Sequence, residues 1–190
     1  AATNYALTFT GSGLAAATTN EFQVAPGVPV RLAFETPPSQ ATAGAPIAPA
    51  IRVWVLDALG NRVTTATTAV ALAFGSNPTG ATLEGTTSAA AVNGVATFAD
   101  LRIRRAGPYT LAASASGLTG ATSVTIEVIH APASRLAFTV QPSSAAPGVA
   151  LSPAVRVTVQ DSLGNQVDAA TTAVTLAITS GTGTAGAVLA

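Results

Sequence analysis

Polar and apolar residues alternate with period two along several short stretches of this chain. In "IRVWVLD", 51–57, the side chains of Ile51, Val53 and Val55 fall on one face and those of Arg52, Trp54 and Leu56 on the other. The same period groups Val70 with Leu72 and Phe74, Tyr109 with Leu111 and Ala113, and Val124 with Ile126 and Val128. A two-residue period is the pleat of a half-buried strand, and no stretch sustains the 3.6-residue pattern and caps of a helix. Between these runs "DALGN", "SNPTG" and "VNGV" read as turns. Asn93-Gly94 is the strongest hairpin signal, because both residues tolerate the positive φ that a type I′ turn demands. Short strands at this spacing predict antiparallel β-sandwiches with one face of each sheet buried.

The strands and turns recur. "LDALGNRV", 56–63, returns as "QDSLGNQV", 160–167, and Asp161 minus Asp57 gives an offset of 104. "RLAF" at 31–34, "PAIRVWVLD" at 49–57 and "TTAVALAF" at 67–74 return at that same offset as "RLAF", "PAVRVTVQD" and "TTAVTLAI". "YALTFTGSGLAAATTNEFQV", 5–24, lies under "YTLAASASGLTGATSVTIEV", 109–128. Residues 1–30 therefore read as the closing strands of one repeat, 31–134 as a complete repeat and 135–190 as the opening half of a third. The connecting "APGVPV", 25–30, and "IHAPAS", 129–134, are short and contain Pro, so they are expected to act as semi-rigid spacers in an extended rod.

What recurs with every repeat is architecture, since a catalytic group needs to occur once. In the repeated turn, Asp57 and Asp161 can accept backbone N–H bonds, Gly60 and Gly164 can take the left-handed conformation, and Asn61 and Asn165 complete the motif. A Ca²⁺ loop is disfavoured there, because the ion wants several oxygen ligands and the turn supplies one Asp.

Composition narrows the classes further. Charged residues make up 8% of 190 residues, the eight basic ones are all Arg, and the formal net charge is zero, so no electrostatic footprint for nucleic acid is present. Without Cys there is neither a disulfide framework nor a thiolate metal site. Without Lys, Lys–Asn isopeptide cross-links are excluded too, and resilience must come from packing, backbone ladders and repetition. No apolar run approaches the roughly 20 residues of a membrane helix. The only Asn-x-Thr, "NPT" at 77–79, is spoiled by its Pro, which leaves O-linkage to Thr and Ser as the route for any glycan.

Candidate chemistry is sparse. His130 is the sole histidine and falls in the spacer, and the eight acidic residues are scattered singly, so neither a triad nor a glycosidase carboxyl pair is legible. No catalytic residue, metal or cofactor is expected. Arg102 and Arg104 flank Ile103 on the opposite face, as a charged strand face that discourages edge pairing or as a contact for a sugar or polyanion. Trp54 stands beside Arg52 where the third repeat carries Thr158 beside Arg156. A repeat-specific interface, a covering loop and a sugar-stacking platform are all open readings for it.

In order and spacing, "DALGNRV", "VNGVATFADL" and "AGPYTLAASASG" resemble the bacterial Ig-like tandem repeats of large cell-surface proteins, closest in flavour to the invasin and intimin type. That resemblance covers essentially the whole chain. It implies all-β, tandem immunoglobulin-like sandwiches, extracellular or cell-surface display, and a role as stalk, fibre or adhesin. It carries over no catalytic residue. The expected function is a non-catalytic structural module whose partners are neighbouring copies of the same repeat. The alternative is an adhesin or carbohydrate-binding module that meets a surface glycan or a protein receptor. The half-repeat at 135–190 is expected either to continue past Ala190 into a further hairpin or to be completed by strand exchange with residues 1–30 of a neighbour, continuation being the simpler account.

Overall fold

A computed structural model describes residues 3–183 and 187–189. Ala1 and Ala190, which the repeat alignment sets against Arg105 and Glu84, lie outside the described residues. The described chain is all-β and contains no helix. Two small antiparallel ribbons come first, from β1 (Thr3–Tyr5), β2 (Thr8–Phe9), β3 (Ala17–Thr18) and β4 (Phe22–Val24), with β1 on β4 and β2 on β3. The central segment holds β5 (Arg31–Phe34), β6 (Gln40–Thr42), β7 (Ile51–Leu56), β8 (Ala69–Ser76), β9 (Leu83–Glu84) and β10 (Ser88–Ala90). It continues with β11 (Val95–Phe98), β12 (Arg102–Ile103), β13 (Gly107–Ser114), β14 (Ala121–Thr122) and β15 (Ile126–Ile129). A last antiparallel ribbon pairs β16 (Ala133–Val140) with β17 (Arg156–Asp161).

The central strands make two facing sheets. One runs β10-β8-β13-β15-β6 with β14 beside β13, and the other runs β11-β7-β5. Among the strands of the described residues, every pairing is antiparallel except that of β15 with β6, which is parallel. The inward residues of both sheets form one core: Ile51, Val53 and Val55 from β7 meet Val70, Leu72, Tyr109, Leu111, Ile126 and Val128. Each such large side chain contributes about 1.5–3 kcal/mol relative to leaving it in water. The buried core residues all lie between Leu32 and Val128.

Two expectations of phase are corrected. Leu56, expected outward, is 5% exposed. It closes its strand between Arg31 on one side and a bridge to Arg62 on the other, where the chain turns back over it. Val124, expected in line with Ile126, is 61% exposed. The alternation slips at Ser123, which takes the inward place: its hydroxyl accepts from the Leu111 N–H at 2.9 Å and donates to the Val124 carbonyl at 2.7 Å.

Pairings recur 104 residues apart. Tyr5 opposes Phe22 as Tyr109 opposes Ile126, and Thr8 opposes Thr18 as Ala112 opposes Thr122. Leu32 opposes Val55 as Leu136 opposes Val159.

Candidate functional site

The repeated polar turn is built around its Asp. One Asp57 carboxylate oxygen accepts the N–H groups of Leu59 at 3.0 Å and Asn61 at 2.8 Å, and the other accepts the Asn61 side-chain amide at 3.0 Å. That second oxygen also takes the N–H of Gly27 at 2.8 Å, thirty residues upstream in the spacer. Asp161 does the same: Leu163 and Asn165 donate backbone N–H at 2.9 Å, the Asn165 amide donates at 2.9 Å, and the spacer residue Ala131 donates at 2.9 Å. Gly27 and Ala131 are themselves 104 apart. Gly60 and Gly164 close the two turns with φ of 87° and 92°.

These bonds set the acidity of the two carboxyls. The Asn61 side-chain bond and the Gly27 N–H, helped by the turn amides of Asn61 and Leu59, bring Asp57 down to about 2 against the opposing effect of burial. Burial pushes Asp161 upward, but the Asn165 side chain and the N–H groups of Ala131, Asn165 and Leu163 outweigh it and leave that carboxyl lowered. Both turns therefore hold a carboxylate whose ionised form is favoured by four hydrogen-bond donors.

Beyond the shared clamp, the two turns differ in what lies above them. Asn165 donates its side-chain N–H to the Arg104 carbonyl at 2.8 Å, and its Oδ1 accepts the Ala106 N–H at 2.9 Å. Leu163 is half-buried against the central core, with its Cδ1 2.8 Å from where a Cβ on Gly44 would stand. Gly44 has φ of 77°, a backbone conformation that favours glycine, and a Cβ there would push the Leu163 side chain aside. In the first turn, Leu59 is 88% exposed and Asn61 is exposed. Sequence reasoning recovers the turn and misses these contacts, whose partners are backbone atoms and a glycine.

Asn93 and Gly94 take φ of 52° and 72°, and Val92 and Val95 exchange two backbone bonds across them, which is the geometry of a two-residue hairpin loop. Gly94 packs tightly, since a Cβ there would fall 2.4 Å from the Val63 carbonyl oxygen.

Trp54 lies on the outer face of its sheet, half-buried between Ala33 and Val95 of the flanking strands, with its indole N–H buried and without a partner among the described residues. Arg52 pairs with Glu35 at 2.7 Å, and Arg104 with Glu84 at 2.7 Å. Arg102 is exposed on the short β12–β9 ribbon, away from the Trp54 sheet. The candidate interface residues thus occupy two places, Arg52 with Trp54 and Arg102 with Arg104. His130 is half-buried, its Nδ1 2.9 Å from the Ala131 carbonyl oxygen. Among the described residues, no three His, Cys, Asp or Glu side chains gather as a metal site would require. No helix there is long and apolar enough to cross a membrane.

No protein-family model and no curated protein matches the chain. Among solved structures, it is similar to a glycosyl hydrolase family 2 member from Bacteroides cellulosilyticus, at 16% identity and a TM-score of 0.45 over 60% of this chain and 16% of that one. It is also similar to domains 4–9 of the surface layer protein SbsC, at 19% identity and a TM-score of 0.35 over 82% of this chain and 23% of that one. The chain thus spans less than a quarter of the length of either solved protein.

Proposed function

We infer that this chain is a non-catalytic structural part of an extracellular, bacterial fibre, filament or surface stalk made of tandem Ig-like sandwiches. The supporting observation is the clamp that appears twice: Asp57 on Gly27 and Asp161 on Ala131, each tying a spacer to the polar turn that follows it. A spacer held by a saturated carboxylate restricts the angle at which one sandwich meets the next, which suits a load-bearing rod. Residues 1–30, 31–134 and 135–190 are then parts of three successive modules, and neighbouring copies are the partners.

The adhesin or carbohydrate-binding alternative rests on Trp54 and Arg52. A ring half-covered on its own sheet, beside an Arg already paired with Glu35, offers less to a sugar than an open platform would. Electron microscopy of native material discriminates the two. Filaments or straight rods with a regular module spacing are expected, and isolated globules that bind a glycan array through Trp54 would replace this reading with the alternative.

A further inference from the structure

The polar turn that clamps its own spacer also presents two side chains, Leu and Asn, outward to the preceding sandwich. At the second turn both are seated. Asn165 uses both of its side-chain N–H donors and its carbonyl oxygen: one N–H goes to Asp161 and the other to the Arg104 carbonyl, while Oδ1 takes the Ala106 N–H. Leu163 drops beside Gly44 onto the core. The seat is itself held rigid, with Gly44 N–H bonded to the Ile103 carbonyl at 2.9 Å and the buried Tyr109 hydroxyl donating to the Arg105 carbonyl at 2.9 Å. Arg105 in turn reaches the Thr79 carbonyl.

At the first turn the same pair is built to the same geometry and left open. Asp57 holds Leu59 and Asn61 by the bonds Asp161 uses for Leu163 and Asn165, so the conformation of the turn does not depend on docking. Yet Leu59 stands 88% exposed, and among the described residues the second N–H and the Oδ1 of Asn61 meet nothing. An apolar side chain and an amide fork, fixed in place and facing solvent, match the occupied seat in shape and in hydrogen-bonding sense.

The geometry points to Leu59 and Asn61 as a docking surface for a second copy of the central sandwich, which would offer them the β12–β13 turn equivalent to Arg104–Ala106 and the notch made by the glycine equivalent to Gly44. This deepens the tandem reading and rests on it. It makes the "LGN" turn a latch that fixes each module to the one before, and the angle at every joint of the array becomes the same.

The chain has no cysteine, so one introduced thiol reports one position. In the 190-residue chain, Leu59→Cys should react with a maleimide about tenfold faster than Leu163→Cys, as exposure dictates. Placing a copy of residues 31–104 in front of Ala1 supplies a preceding sandwich in register with residues 1–30. In that longer chain, Leu59→Cys should slow to the rate of Leu163→Cys, and adding Asn61→Ala should restore fast labelling, as Asn165→Ala should at the second joint. If the added sandwich folds and Leu59→Cys still reacts at the open rate, the latch is wrong while the tandem reading stands. If the added segment forms no sandwich, by circular dichroism and melting, both are wrong.

Discussion

The hydroxyl of Tyr109, a residue with no exposed surface, donates to the carbonyl of Arg105 four positions upstream, at 2.9 Å. A phenol buried in the core would be costly without partners, and this bond, together with that to the Thr79 hydroxyl at 2.5 Å, meets the need while pinning the turn that leads into β13. Tyr109→Phe should therefore cost about 1 kcal/mol and lower the melting temperature by about 4–8 °C. It should also free the β12–β13 turn, which amide hydrogen exchange at Arg105 and Ala106 would register. Unchanged melting would mean that the hydroxyl adds nothing.

Acid should loosen the spacer clamp. The folded value for Asp57 lies at about 2 against an ordinary 3.8, so its contribution is complete above the ordinary value and is lost as pH falls through the folded one. Asp161 and Asp100 are also lowered, Asp100 by the N–H and hydroxyl of Thr86, and act in the same sense. Melting temperature should hold steady above about pH 5 and fall between about pH 4 and 2. Asp57→Asn should melt lower at pH 7 and show a shallower acid limb.

Gly94 and Gly117 share a φ of 72° but not their surroundings. A Cβ at Gly94 would meet the Val63 carbonyl at 2.4 Å, whereas one at Gly117 would meet nothing within 4 Å. Gly117→Ala should cost about 1–2 kcal/mol from left-handed strain alone. Gly94→Ala should cost at least about 1 kcal/mol more, because the clash is with backbone. Chemical denaturation of the two variants measures the difference directly.

On the β16–β17 ribbon, Leu136 and Phe138 are 52% and 54% exposed, although their counterparts Leu32 and Phe34 pack in or against the central core. Val174 and Leu176 border the same apolar surface. The 190-residue chain should self-associate through this face in sedimentation velocity, and Leu136→Thr with Phe138→Thr should shift it toward monomer without changing the melting of the central sandwich.

Parity made much of this fold legible. Ile51, Val53 and Val55 alternate with exposed Arg52 and half-buried Trp54 because a pleated strand converts odd and even positions into inside and outside. It failed at Ser123, where a small polar residue turned inward and bonded to the backbone on both sides, something its chemistry permits but does not announce. The polar turn was visible through its repetition, and Gly60 and Gly164 through the ease with which glycine takes the left-handed conformation that such a turn needs. The latch was not, because Asn165 reaches the backbone of Arg104 and Ala106, some sixty residues away, and backbone partners leave no mark in the identity of the residues that carry them.

The parallel pairing of β6 with β15 bears on tension. Gln40, Ala41 and Thr42 lie beside Glu127, Val128 and Ile129, with Glu127 N–H on the Ser39 carbonyl at 2.9 Å and Ala43 N–H on the Ile129 carbonyl at 2.8 Å. One strand lies near the entry of the central sandwich and the other at its exit, and Arg31 bridges Thr119 in the same parallel sense. When the two ends are drawn apart, neighbouring parallel strands slide in opposite directions, so these bonds are sheared together instead of opening one after another as a zipper would. Stretching from the termini thus meets the sandwich along the direction in which its ladder yields last.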